Sequence, residues 1–274
     1  MNHFSPNPPP IHEPPQRAGR RVHLPIAQPL WTYIFLGAIV LIYITEWILS
    51  RSVDGSISAN ALVQMGANYA PYVAQGQYWR LFTANFLHVN ILHIAVNGYS
   101  LYILGREVEA LFGHRRFVVL YLLSGICGAV FSFMITQGLS AGASTSLFGL
   151  FAALGIFFYK QRKLLGDIGR QQLINLGVIL LINVIIGLSP GSAIDNWGHV
   201  GGLVGGAILG WFLCPDYTLV DSRPNTLSPV TSQPRPELSN DDLMDSNSLG
   251  KQSFAVGIFA LGLVVLTIFA RMIQ

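Results

Sequence analysis

Gly142-Ala143-Ser144-Thr145-Ser146-Leu147-Phe148-Gly149 opens an apolar stretch that continues to Tyr159 without a charged residue. About fifty residues later, Asn196-Trp197-Gly198-His199-Val200-Gly201-Gly202 opens another. Ionisable side chains are rare in a bilayer interior and tend to be kept there for function. A hydroxyl and an imidazole at the heads of two such stretches therefore suggest a nucleophile and its general base. Everything else in the chain bears on whether these two residues can meet.

Composition sets the class. The 274 residues are 51% hydrophobic and 11% charged, where soluble domains carry about 25% charged residues, and mean hydropathy is +0.49. These values describe an integral membrane protein. The net charge of +3 is spread over several short loops; no basic patch forms, which argues against nucleic acid as a partner. Cys127 and Cys214 both fall in apolar segments and read as small packing residues rather than a disulfide.

Seven apolar stretches have the length of spans, near 31–49, 87–108, 117–137, 144–159, 173–188, 197–214 and 253–270. The expected fold class is thus an all-α polytopic membrane protein. No cleavable signal peptide is read at the start. Residues 1–30 are proline-rich, with Pro8-Pro9-Pro10 and Pro14-Pro15, and are expected to be a disordered tail. The stretch 215–252, rich in Ser, Pro, Asn and Asp, reads as a flexible linker.

Charge placement supports that count. With the N-terminus cytoplasmic, the inner segments hold Arg17, Arg20 and Arg21, then Arg115 and Arg116, then Lys160, Arg162, Lys163 and Arg170, then Arg223, Arg235 and Lys251. The outer loops 138–143 and 189–196 hold no Lys or Arg, and only Arg51, Arg80 and the C-terminal Arg271 fall outside. The N-terminus is expected inside and the C-terminus outside, in a plasma membrane. Parity then brings the heads of the second, fourth and sixth spans to the outer leaflet, with His88, His93, Asn97, Ser144 and His199. The fourth span, Ser144 to Tyr159, rises only ~24 Å against a hydrocarbon core of ~30 Å, so Ser144 should be recessed. Gly198, Gly202, Gly206 and Gly210 recur every fourth residue, with Gly201 and Gly205 beside them. That stripe permits close helix approach and can hold His199 near a partner on the fourth span.

Ser144 and Phe148, four residues apart, share a helix face, whereas Ser146 points away. No carboxylate sits at comparable depth, so a dyad is expected rather than a triad, and Asp195 reads as an N-cap. His93 and Asn97 also share a face. Two buried polar groups on one face need a common polar target. They either donate to a developing oxyanion or form a structural network between helices. His88 and His93 are five apart and no HExxH occurs, which leaves no zinc motif; no cofactor is implied.

Several motifs now combine. Tyr78-Trp79-Arg80, His88 with His93 and Asn97 (H-x4-H-x3-N), Gly105 with Glu109 (G-x-x-x-E), Gly142-Ala143-Ser144 (G-x-S), and His199 with Gly202 and Gly206 (H-x-x-G-x-x-x-G) stand in this order. From about Tyr78 to Trp211 the chain resembles the rhomboid intramembrane serine proteases. The resemblance implies Ser144 as nucleophile, His199 as base, and His93, Asn97 and the Ser144 backbone N–H as an oxyanion hole. It implies that Phe148 stacks under the catalytic histidine, that Arg80 and Glu109 are structural, and that His88 supports the first loop. It also implies a six-span core over 31–214, with 253–274 as an appended seventh span. The expected partners are the bilayer and the transmembrane segments of membrane protein substrates. In the family a glycine usually follows the serine; here Thr145 does, and this β-branched residue could crowd the oxyanion pocket.

Alternative readings are a catalytically inactive relative that binds transmembrane helices, and a transporter. The first need not keep serine, histidine and oxyanion donors together. The second calls for a midplane charge and internal repeats, and only Glu46, read as interfacial, comes near. Two membrane aspartates for aspartyl proteolysis are missing, and Ser146 stands where a G-x-S-x-G elbow needs its second glycine.

Overall fold

The computed structural model describes residues 26–136, 138–190, 192, 194–219, 243–247 and 249–273. Most of the expected proline-rich tail and the middle of the expected 215–252 linker lie outside these residues. The long helices are α1 (Trp31–Ser50), α7 (His114–Ile135), α9 (Arg162–Gly187) and α11 (Leu249–Met272). These four are long and apolar enough to cross a membrane, α11 over Gln252–Met272. Each of the seven expected stretches falls on helix, but not each is a straight span.

The second stretch is broken. Between α1 and it, the chain forms α2 (Ala59–Met65), the short strand β1 (Asn68–Tyr69), α3 (Ala70–Ala74) and α4 (Arg80–Thr83), followed by a 3-10 turn at Ala84–Phe86. It then turns by 91° before entering α5 (Ile91–Ser100). Asn90 makes that start: its extended backbone ends the approach, and its Oδ1 accepts the His93 N–H at 2.8 Å, satisfying a donor the helix leaves free. Past α5 the helix loosens into a π-helical segment, Leu101–Gly105, and resumes as α6 (Arg106–Phe112). Taken with its bent partner, this is a fifth candidate span.

The fourth and sixth stretches form α8 (Ser144–Lys160) and α10 (Asn196–Leu213). Helix α8 is an apolar helix of 17 residues and α10 has 18. The glycines of α10 form two rows. A Cβ on Gly202 would strike the backbone of Thr145, one on Gly206 the backbone of Gly149, and one on Gly210 the Cα of Ala153, all in α8. A Cβ on Gly201 would come within 2.6 Å of Phe131 Cβ, and one on Gly205 within 2.8 Å of Cys127 Cβ, both in α7. Helix α10 therefore lies wedged between α7 and α8 at backbone contact, where a larger side chain has no room. Below the wedge, Phe35, Phe117, Tyr121, Leu150, Leu154, Phe157, Leu209 and Leu213 form a buried apolar cluster. Cys127 and Cys214 are buried free thiols.

Glu109 fixes α1 to this core. Its carboxylate accepts the backbone N–H groups of Leu30, Trp31 and Thr32 at 2.8–2.9 Å, the Thr32 hydroxyl at 2.7 Å, and contacts His114 Nδ1 at 2.6 Å. A fully buried carboxylate thus stands in for the missing cap of α1, whose positive end it also suits. Gly105, one turn earlier, explains the other half of its motif: a Cβ there would meet Thr32 at 2.9 Å.

The expected linker is ordered at both ends. Strand β3 (Tyr217–Leu219) pairs antiparallel with β4 (Leu243–Asp245), and Arg116 of α7 reaches Asp245 at 2.7 Å, Gln252 at 3.1 Å and the Asn247 carbonyl at 2.5 Å. At its far end α11 returns through Arg271 Nη1, 3.1 Å from the Tyr78 hydroxyl. Helix α11 is stitched to the bundle at both ends.

Candidate active site

Helix α8 begins at Ser144 with no side chain capping it, so its first backbone N–H groups are left without helical partners. The approach to that start is held firmly. Strand β2 (Leu139–Ser140) pairs with β1 in the first loop, and Gly142 N–H donates to Ala84 O at 2.9 Å. Gly142 has φ of +135°, and a Cβ on it would sit 2.7 Å from His93 Cε1 and 3.5 Å from Asn97 Nδ2. Backbone conformation and space both require glycine here.

Ser144 Oγ and His199 Nε2 stand 2.8 Å apart. The imidazole lies on Phe148, with ring centroids 4.2 Å apart and planes within 15°. Asp195 caps α10 as expected: its Oδ1 accepts Gly198 N–H at 2.9 Å and Thr136 Oγ1 at 3.2 Å. Among the described residues no carboxylate hydrogen-bonds the imidazole, whose Nε2 has Ser144 Oγ as its partner. His93 and Asn97 face Gly142, and their Nδ1 and Nδ2 are buried with no protein partner. Four of the anticipated groups, from three helices, thus surround one backbone turn.

The supporting residues divide. Arg80 is buried beneath the first loop, donating to the carbonyls of Val63 (2.6 Å) and Ala67 (3.1 Å) and to Gln77 Oε1 (2.7 Å). Its guanidinium also lies 4.7 Å from the Trp79 ring and 4.9 Å from that of Tyr72. Glu109 is remote, at the cap of α1. His88 does something more specific than support the loop. It is fully buried, its Nδ1 lies 3.2 Å from Phe86 O, its N–H donates to Glu46 at 3.3 Å, and its ring meets that of His93 edge-on at 5.2 Å. Glu46 itself is 2% exposed: near the end of α1, it is turned inward to the His88 backbone.

Thr145 is turned into the packing between helices. Its hydroxyl donates to Asn85 Oδ1 at 2.5 Å, and its methyl lies between Gly128 of α7 and Gly198 of α10. Asn85 in turn donates to the carbonyls of Leu81 and Phe82. The sequence reading passed over Asn85, since a polar residue beside an expected loop carries no signal until its partner, sixty positions away, is known. Thr145→Val should lower thermal stability by about 1–3 kcal/mol, because it leaves a buried Asn85 oxygen unpaired. Unfolding in detergent of Thr145→Val, Asn85→Ala and the double variant measures this. Strict additivity would show that the two residues do not interact.

A protein-family model described as the Rhomboid domain matches residues 75–216. The chain is 39% identical over 180 residues to Rhomboid protease GluP of Bacillus subtilis, covering 65% of this chain and 34% of that protein. It is 32% identical over 175 residues to Rhomboid-like protease 3 of Toxoplasma gondii (62% and 64%), and 35% identical over 173 residues to RHOMBOID-like protein 2 of Arabidopsis thaliana (62% and 54%). The chain therefore spans from one third to just under two thirds of the length of these relatives.

Proposed function

Because the chain belongs to the rhomboid family, whose domain covers more than half of it, we propose that it is an intramembrane serine endopeptidase working through Ser144 and His199. The observation that carries this reading is the 2.8 Å approach of Ser144 Oγ to His199 Nε2, with the imidazole held on Phe148. Neutral His199 accepts the Ser144 proton as Oγ attacks the peptide carbonyl carbon. The oxygen that becomes negative is met by Asn97 Nδ2, by His93 and by the free N–H at the head of α8, groups that are in place before the charge develops. His199 passes its proton to the departing amine nitrogen, leaving an acyl-enzyme on Ser144. Water activated by the same imidazole then releases the acid.

The substrates are membrane proteins cut in or near a transmembrane segment. The enzyme is a multi-pass protein of the plasma membrane, with six spans over 31–214 as its core and 253–274 as the seventh. Its N-terminus is cytoplasmic and its C-terminus outside, as the loop charges favour. The approach of Ser144 Oγ to His199 Nε2 favours this reading over that of an inactive relative.

A fluorophosphonate probe tests the reading without knowledge of the substrate. The purified chain in detergent should be labelled on the peptide containing Ser144, and heat denaturation should abolish labelling. A folded protein that is not labelled, or is labelled at another serine, overturns the assignment.

A further inference from the structure

Helix α8 starts without a capping side chain: residue 143 is alanine, and Ser144 follows it. Helix ends fray unless something holds them, yet the reaction proposed above needs Ser144 Oγ to stay in place. The end is gripped from outside. In the turn Ala84–Phe86, Ala84 O accepts the Gly142 N–H at 2.9 Å and Asn85 Oδ1 accepts the Thr145 hydroxyl at 2.5 Å. Two adjacent residues of one turn thus hold the chain on both sides of Ser144. Asn85 is itself fixed. It is buried, and its Nδ2 donates to Leu81 O at 2.9 Å and Phe82 O at 3.2 Å, which leaves the carboxamide oxygen for Thr145. Gly125 of α7 makes the room: a Cβ there would lie 2.7 Å from Asn85 Oδ1 and would also strike Ser146 Oγ.

We infer that Asn85 is a positioning residue for the nucleophile: through Thr145 it fixes the first turn of α8, and with it the approach of Ser144 Oγ to His199 Nε2. The inference rests on the hydrolytic reading. What gives it reach is the other side of Thr145. Its backbone oxygen lies against Gly202 and its methyl against Gly198, both on α10, the helix that carries His199. The residue that the turn holds is therefore the one on which the histidine's helix rests, so first loop, serine and histidine share one point of reference. Asn85 acts through Thr145 and takes part in no proton transfer. A glycine at 145 has no hydroxyl to offer, and would leave the grip at Gly142 to work alone.

The test follows fluorophosphonate labelling of Ser144 in the full chain in detergent, over a range of probe concentrations and well below the unfolding temperature. Asn85→Ala removes the acceptor; Thr145→Val keeps the branched shape and removes the hydroxyl. Each should lower the maximal labelling rate by about 10–100-fold, the cost of a small misplacement of a reacting group, with the half-saturating probe concentration unchanged. The double variant should be no slower than the single ones, since both remove the same bond. Thr145→Ser, which keeps the hydroxyl, should retain most of the unaltered rate. A bond that only stabilises the fold would instead reduce the fraction of chains that can be labelled and leave the rate of the folded remainder as it was. That result overturns the inference, as does a Thr145→Ser variant as slow as Thr145→Val. Thr145→Val decides the matter if Asn85→Ala does not fold. An unaltered chain that is not labelled at Ser144 overturns the hydrolytic reading and this inference with it; a labelled one whose variants keep their rate overturns this inference alone.

Discussion

His199→Ala and Ser144→Ala should each lower the cleavage rate of a transmembrane reporter substrate in liposomes by about 10⁴-fold or more, and the double variant should be no slower than the single ones. The serine hydroxyl is a poor nucleophile at its ordinary pKa and acts only as its proton leaves; at 2.8 Å, His199 Nε2 is the acceptor in reach. Removing either member removes the same step, hence the expected lack of additivity. His199→Ala also exposes the face of Phe148 on which the imidazole lies, so its thermal stability should be measured alongside. Stability near that of the unaltered protein together with lost cleavage assigns His199 to the chemistry. Cleavage within tenfold of the unaltered rate in either variant overturns the dyad.

Gly206→Ala should be the most damaging small substitution in the core. The added Cβ meets backbone atoms of Gly149, not a side chain that could swing aside, so α8 and α10 must part. Overpacking of this kind costs about 1–3 kcal/mol and at times more. The separation also displaces Ser144 from His199, since each heads one of the two helices. Probe labelling should therefore fall at temperatures where the protein remains folded. Gly262→Ala on α11 is the control: nothing lies within 4 Å of the new Cβ, and helix propensity favours alanine by up to about 1 kcal/mol. Thermal unfolding with labelling rates compares the two. Equal effects would show that the α8–α10 contact is not the constraint described.

The heads of the second, fourth and sixth stretches could be assigned to one end of the bundle from loop charges and parity, and the glycine period of α10 pointed to its close packing. Both are properties written along a single segment. What pairs with what across segments was less legible. The partner of Thr145, next to Ser144, became visible only when Asn85 was seen to accept its hydroxyl. That Glu46 is turned inward to the His88 backbone was not legible, because position along an axis says nothing about which way the helix is turned. The break before α5 was hidden in Leu87-His88-Val89-Asn90, whose apolar members extend a hydropathy window while the preceding turn ends at Phe86 and Asn90 caps the next helix. Likewise the residues 215–252 have the composition of a linker, but Arg116 and the β3–β4 pairing order its ends.

The π-helical turn at Leu101–Gly105 sets the phase of the helix on either side of it. Asn97 and Glu109 are twelve residues apart, which in an unbroken α-helix would leave them about 120° apart around the axis. A single wide turn holds back roughly a quarter of a rotation. Asn97 can then look toward Gly142 while Glu109 looks toward the first turn of α1. A one-residue deletion in this segment would restore a regular helix and force a choice between the two. The same backbone turn therefore keeps the approach of Asn97 to Gly142 and the docking of the first helix in register.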